Sequence, residues 1–120
     1  MDTRNKILTL DAALRLPRGS VTVAAGYFDA LRAPHVRHLA ALEAPVLAVV
    51  LPREGELVAQ SARAEMVAAL RMIDYVMIAK NKDLDALIEI LAPRRLLHLE
   101  DRDTALVQQL IDHVHSRQSR

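Results

Sequence analysis

The sequence predicts a Rossmann-like α/β domain: a three-layer sandwich built on a mostly parallel sheet of about four strands. Four short apolar runs alternate with segments whose apolar residues recur at helical spacing. The runs are continuous rather than alternating, which is typical of strands buried on both faces of a parallel sheet. The chain has 120 residues, of which 52% are hydrophobic, so we expect one domain spanning 1–120.

Four elements are predicted in the first half of the chain: a short helix at 9–16 that packs across the sheet, a strand at 21–25, a helix beginning near Pro34, and a strand at 45–52. The first strand ends at Gly26. On the helix that follows, Val36, Leu39 and Ala40 share one face and are expected to point inward. Prolines bracket the second strand, "PVLAVVLP".

The second half repeats the alternation. Predicted in order are a helix capped by Ser61, a strand at 75–79, a helix capped by Asn81 or Asp83, a strand at 95–99, and a last helix capped by Asp101 or Asp103. The expected inward residues are Met66, Ala69, Leu70 and Ile73 on the first helix, Leu84, Leu87, Ile88 and Leu91 on the second, and Val107, Leu110, Ile111 and Val114 on the last.

Composition narrows the possible functions. The chain has three aromatic residues, which disfavours binding of single-stranded nucleic acid by base stacking. Sixteen basic and fifteen acidic residues are spread evenly, so no nucleic-acid or membrane footprint is expected. The absence of cysteine excludes disulfides, zinc thiolates and cysteine nucleophiles. The amino terminus lacks the apolar run of a signal peptide, and a cytoplasmic protein is expected.

The loop from Gly26 to His35 is the first candidate site. It follows the first predicted strand and leads into a helix, at the edge of a parallel sheet where ligands commonly bind. Backbone N–H groups and the helix dipole favour an anion there. The sequence has no Walker loop, G-x-G-x-x-G or G-x-S-x-G motif that would indicate another chemistry.

Two blocks resemble a known family. "GYFDALRAPHVRHLAALEA", beginning at Gly26, resembles the G-x-F-D-x-x-H-x-G-H motif of the cytidylyltransferase-like nucleotidyltransferases, and is most similar to ADP-heptose synthase and glycerol-3-phosphate cytidylyltransferase domains. "RAEMVAALRMIDYVMIA", at 63–79, resembles a second segment of that family. The resemblance covers roughly residues 7–99.

This resemblance implies a mechanism and a set of site residues. A phosphate or phosphonate attacks the α-phosphorus of CTP or ATP and releases pyrophosphate, usually with Mg²⁺, while motif histidines and basic residues stabilise the phosphate charge. Carried over by position, the catalytic residues are His35, which matches the second motif histidine, and Arg32, which replaces the first. The residues expected to bind nucleotide or phosphate are Gly26, Phe28, Asp29, Arg53 and Arg63.

The motif is degenerate at several positions. Pro34 replaces the motif glycine, which removes an N–H that would face the anion. The loop after the second strand is short. Glu100, Asp101 and Asp103 stand where the family has hydroxyl residues, which leaves Thr104 as the only hydroxyl there and would repel a triphosphate.

These departures favour a weak or inactive nucleotidyltransferase-like domain that serves as a structural, dimerising or partner-binding module. The alternatives are an active transferase whose phosphate clamp is rebuilt from Arg32, His35, Arg53 and Arg63, or a nucleotide or anion sensor. A homodimer is expected because a shortened sheet leaves an edge to cover.

Structural roles compete with these functional ones. Asp29 can orient its loop, Arg32 can be a surface residue, and Arg63 can pair with Glu65. His35 and His38, at i and i+3, are expected to be solvated rather than metal ligands, and no metal site is predicted.

Overall fold

A computed structural model describes residues 3–28, 33–53, 55, 58–80 and 82–99. A 3-10 helix at Thr3–Lys6 opens the described chain. The strands are β1 (Ile7–Leu8), β2 (Thr22–Gly26), β3 (Val46–Val50), β4 (Tyr75–Ile78) and β5 (Arg95–His98). The helices are α1 (Leu10–Leu14), α2 (Ala33–Ala40), α3 (Gln60–Ala68) and α4 (Asp83–Leu91).

The described strands form one parallel sheet in the order β1-β4-β3-β2-β5. In its register, Ala24 of β2 pairs with Ala48 of β3 and with Leu97 of β5. All five residues of β2 and all five of β3 are buried, as expected of central strands in a parallel sheet. The predicted Rossmann-like α/β fold is confirmed.

Helices cover both faces of the sheet. One buried cluster contains Leu39 of α2 and Val67 of α3 together with Ala24 and Ala48 of the sheet. The other contains Ala13 of α1 and Leu87 and Leu91 of α4 together with alternate residues of the same strands. The molecule therefore has the predicted three layers, with α2 and α3 on one face and α1 and α4 on the other.

The strand count differs from the prediction of about four. The additional strand, β1, has two residues that pair with Val76 and Met77 of β4. A strand of two residues is too short to produce a periodic sequence pattern, so the prediction missed it. The short helix predicted at 9–16 is present as α1, where the Thr9 side chain accepts a hydrogen bond from the Ala12 N–H at 3.2 Å.

Two predicted helix caps are wrong. Helix α3 begins one residue before Ser61, with Ala59 at the cap position and no side-chain cap bond. The cap position of α4 is Lys82, in a left-handed conformation, and Asp83 is the first helical residue. Asp83 instead accepts a hydrogen bond from the backbone N–H of Lys80 at 2.8 Å.

Of the inward residues predicted for α3, Ile73 is buried and Leu70 packs against the same cluster, although both follow the end of the helix. The prediction is wrong for Met66 and Ala69. Met66 is 48% exposed, and the helix ends before Ala69. The buried residues of this helix are Arg63, Ala64, Val67 and Ala68. The prediction counted Met66 as a core residue because of its hydrophobicity, whereas the helix turns a charged residue, Arg63, toward the sheet.

The amino ends of the strands are fixed by two polar side chains. Asp74 accepts a hydrogen bond from the Val46 N–H at 2.7 Å, and its own N–H donates to the Val46 carbonyl at 3.0 Å. The Arg94 guanidinium donates to the Ala44 carbonyl at 2.9 Å and lies 3.6 Å from the Glu43 carboxylate. These contacts anchor the loops that precede β3 and β5.

Of the helices in the described part of the chain, none has the length and apolarity needed to cross a membrane. The predicted last helix, with its caps Asp101 and Asp103, lies outside the described residues.

Candidate functional site at the carboxyl edge of the sheet

Gly26 ends β2 at a point where the backbone of three strands converges. The Leu51 N–H donates to the Gly26 carbonyl at 2.8 Å, and the Leu99 N–H donates to the Ala25 carbonyl at 2.7 Å. A Cβ atom at Gly26 would lie 3.0 Å from the Leu99 Cβ and 3.5 Å from the Phe28 ring. The close approach of Leu99 therefore favours glycine at this motif position.

Phe28, the next retained motif residue, anchors the start of the loop. Its side chain is only 3% exposed and belongs to the buried cluster that includes Leu39 and Leu99. Its backbone is left-handed, with φ of 53°. For a residue with a side chain this conformation costs about 1–2 kcal/mol, and burial of an aromatic ring, worth about 1.5–3 kcal/mol, offsets it. The contacts of Phe28 are those of a core residue.

Arg63 is fully buried beneath the same loop. Its Nε donates to the Val58 carbonyl at 3.1 Å, and its Nη1 donates to the carbonyls of Tyr27 and Leu51, the latter at 3.1 Å. Tyr27 follows β2, Leu51 follows β3 and Val58 precedes α3. One guanidinium thus joins three loops at the carboxyl edge.

The surroundings of Arg63 explain how a charged group can be buried here. Carbonyl dipoles replace the water that the cation loses, and the planar guanidinium presents donors in several directions at once. Glu65, the alternative ion-pair partner considered above, is exposed, whereas Arg63 is 0% exposed. The phosphate-binding role of Arg63 stays a prediction.

Gln60, one turn before Arg63 on α3, was missed by the sequence reasoning. Its amide Nε2 donates to the Val50 carbonyl at 2.8 Å and to the Ala79 carbonyl at 2.6 Å. It therefore links the ends of β3 and β4, as Arg63 links the loops beside them. The available signal was spacing, because residues three apart on a helix share a face.

His35 and His38 do not share one environment. His35 is buried and faces the sheet together with Leu39, whereas His38 is half-buried. The expectation that both are solvated was wrong for His35, because the inward face of α2 begins at His35 rather than at Val36. Among the described residues, no group of three or more His, Cys, Asp or Glu side chains could hold a metal ion.

The other side of the carboxyl edge is an open cleft next to α4. It has a volume of about 250 Å³ and is lined by Tyr27, Leu51, Pro52, Lys80, Lys82, Leu84 and Asp85. The exposed Arg53 lies over the Tyr27 ring, with its guanidinium carbon 4.6 Å from the ring centre, a cation–π contact.

The cleft carries charges of both signs. Lys80 and Lys82 follow β4 and are exposed, while Asp83 and Asp85 lie in the first turn of α4. The lysines were not among the predicted site residues, although their position directly after a buried strand was a signal for them. The cleft therefore brings together Arg53, Tyr27 and two lysines, of which only Arg53 was predicted.

Two predicted site residues, Asp29 and Arg32, lie outside the described residues. So do the residues at the degenerate end of the motif, Glu100, Asp101, Asp103 and Thr104. The structure does place the positions on either side of the first loop. Phe28 is buried before it, and Pro34 is exposed in the first turn of α2.

Compared with protein-family models and with curated protein sequences, the chain matches none.

Proposed function

We propose that this chain is a degenerate, cytoplasmic nucleotidyltransferase-like domain, catalytically weak or inactive, that acts as a structural, dimerising or partner-binding module. The observation that carries the proposal is the burial of Arg63 against the carbonyls of Tyr27, Leu51 and Val58. Arg63 is the basic residue outside the first motif that best matches the family. Here its Nε and Nη1 donate to backbone carbonyls, and its side chain has no exposed surface.

The start of α2 supports the same proposal. A helix that holds a phosphate uses the free N–H groups of its first turn. Pro34 is in that turn and has no N–H, and its ring is exposed beside the loop. Proline suits the beginning of a helix, so the substitution favours the fold while it weakens an anion site.

The double substitution Arg32→His with Pro34→Gly tests this proposal, because it restores both damaged motif positions. We expect wild type to show no binding of CTP or ATP in equilibrium dialysis with Mg²⁺, and no pyrophosphate release with phosphorylated acceptors. We expect the double variant to remain equally inert, because neither substitution exposes the buried Arg63. Circular dichroism would establish that the variant is folded.

Gain of triphosphate binding by the double variant alone would mean that Arg32 and Pro34, rather than the burial of Arg63, disable the site. Binding or pyrophosphate release by wild type would contradict the proposal.

A second function is favoured by the open cleft. If the domain is an active transferase or a nucleotide sensor, Arg53, Lys80 and Lys82 are exposed cations beside an aromatic ring, a combination suited to a nucleotide. The predicted clamp also includes Arg32, His35 and Arg63, with Mg²⁺ as the metal, although Arg63 is fully buried and does not line this cleft. Under this alternative, wild type binds a triphosphate, and Lys80→Gln with Lys82→Gln abolishes that binding. Under the first proposal, wild type and this double variant both fail to bind.

A homodimer is part of the proposed module. Among the described strands β5 is at an edge of the sheet, and its two central residues, Leu96 and Leu97, are only half-buried. An edge strand of this kind is commonly covered by another element or chain. Light scattering should give twice the 13.3 kDa chain mass. A monomer at every concentration would exclude the dimer.

A further inference from the structure

The amino edge of the sheet, opposite the site described above, is rich in arginine. In a parallel sheet the loops that precede the strands meet at one edge, and these loops and the first residue of β5 carry Arg15, Arg18, Arg71, Arg94 and Arg95. The acidic residues of the same loops are Glu43 and Asp74. Nearby, the last turns of the helices carry Arg37 of α2, Glu65 of α3 and Glu89 of α4, so the acidic residues are fewer than the arginines. The amino edge therefore has a net positive charge.

Four of these arginines are available to a partner. Arg15, Arg18, Arg71 and Arg95 are all exposed, and we call this set the arginine rim. Arg94 is not part of it, because its guanidinium is occupied by the Glu43 carboxylate and the Ala44 carbonyl. By comparison, Lys80 and Lys82 at the carboxyl edge lie next to Asp83 and Asp85 of the first turn of α4.

The backbone that carries the rim is held in place. The Gly19 N–H donates to the Leu91 carbonyl at 2.9 Å, and the Arg94 N–H donates to the Val21 carbonyl at 2.8 Å. These two bonds fix the Arg18 turn beside Arg95. Asp74 fixes the Arg71 loop through its bonds to Val46. The rim is thus mounted on a rigid edge, which lowers the entropic cost of binding.

The strand order gives the rim its dimensions. Arg71 lies in the loop before β4, Arg18 in the turn before β2, and Arg95 is the first residue of β5, so the row crosses four strands. At about 4.8 Å between strands the row is about 14 Å long. An extended peptide of about four or five residues covers that length.

We propose that the arginine rim binds an acidic segment of a partner protein. Guanidinium groups match carboxylates in planar, paired hydrogen bonds, and all four cations of the rim are arginines. A nucleic-acid backbone fits less well, because Glu43, with its side chain 76% exposed, precedes β3 in the middle of the row. A continuous line of phosphates would meet that carboxylate, whereas a peptide can place an uncharged residue opposite it. The inference rests on the partner-binding part of the proposed function.

The test uses a fluorescently labelled acidic peptide, Glu-Glu-Gly-Gly-Glu-Glu, whose uncharged centre can face Glu43, and anisotropy at low and at physiological ionic strength. The test variant carries Arg18→Glu, Arg71→Glu and Arg95→Glu. The matched control carries Arg53→Glu, Lys80→Glu and Lys82→Glu, so both change the net charge equally. We expect wild type to bind the peptide, the rim variant to bind at least about tenfold more weakly, and the control to change by less than about twofold. A neutral set, Arg18→Gln with Arg71→Gln and Arg95→Gln, should show an intermediate loss and keep the fold.

Three results would overturn the inference: no peptide binding by wild type, equal weakening by the rim and control variants, or tighter binding of a DNA duplex than of the peptide. None of these involves a nucleoside triphosphate. Absence of peptide binding at the arginine rim is therefore distinguishable from binding or turnover of a triphosphate, which the dialysis and pyrophosphate-release experiments measure.

Discussion

The two sides of the carboxyl edge use their polar residues in opposite ways. On the side of α3, Arg63 and Gln60 direct their donors at backbone carbonyls that end β2, β3 and β4. On the side of α4, Lys80 and Lys82 are exposed beside an open cleft. Arg63, for which the sequence predicted phosphate binding, is on the closed side. Position in a motif therefore does not establish that a side chain contacts a ligand, since the same position can be used to hold loops together.

The largest expected difference between the two sides concerns Arg63. In Arg63→Met three carbonyls lose a donor in the interior, so the free energy of unfolding should fall by about 3–5 kcal/mol. The matched control, Lys80→Met, removes an exposed cation and should cost less than about 0.5 kcal/mol. Urea denaturation followed by circular dichroism measures both. Equal effects for the two variants would remove the distinction between the closed and the open side.

Gly26 should give the next largest effect. A methyl group at Gly26 would lie 3.0 Å from the Leu99 Cβ, so Gly26→Ala should destabilise the fold by about 1–3 kcal/mol through overpacking. The same substitution in a Leu99→Gly background, which removes the contacting Cβ, should cost less. A double-mutant cycle measures this coupling. Additive effects would mean that the requirement for glycine has another cause than Leu99.

Gln60 tests the closed side with a neutral group. Gln60→Leu removes the amide that donates to Val50 and Ala79, and we expect a loss of about 1–2 kcal/mol in the free energy of unfolding. Ser61→Ala is the adjacent control: Ser61 is exposed and does not occupy the cap position, so it should change stability by less than about 0.5 kcal/mol. A larger loss at Ser61 than at Gln60 would contradict the assigned contacts.

The smallest effect is expected on the open side. Lys80→Gln with Lys82→Gln should change the free energy of unfolding by no more than about 0.5 kcal/mol in either direction, as ordinary surface substitutions do. Thermal denaturation followed by circular dichroism measures this change. A marked loss would show that the cleft lysines stabilise the fold. Such a loss would contradict the claim that Arg63 stabilises the fold whereas the cleft lysines do not.

Much of the fold was predictable from the sequence because it depends on continuous apolar runs. β2, β3, β4 and β5 all lie within the predicted runs, and Leu84, Leu87 and Leu91 of α4 lie on the predicted face. Prediction failed where a polar group replaced an apolar one in the interior. Burial of Arg63 and His35 rotates α3 and α2 away from the faces that hydrophobicity indicates.

The candidate site was less predictable for the same reason. Its location after β2 followed from topology, since ligands of parallel sheets bind at the carboxyl ends of strands. Whether Arg63 faces outward or inward depends on the carbonyls of Tyr27, Leu51 and Val58. Tyr27 and Leu51 are distant from Arg63 in the sequence, so the sequence pattern around Arg63 does not indicate them. A motif lists residues in order, and it does not record which backbone atoms converge on them.

The most direct test of the central claim is calorimetric titration of wild type with CTP and with ATP, each in the presence of Mg²⁺. We proposed that Gly26, Phe28 and Arg63 maintain the fold rather than bind a nucleotide, so we predict no heat of binding with either triphosphate. Saturable binding of one triphosphate in the micromolar range would contradict it and would establish a working nucleotide site.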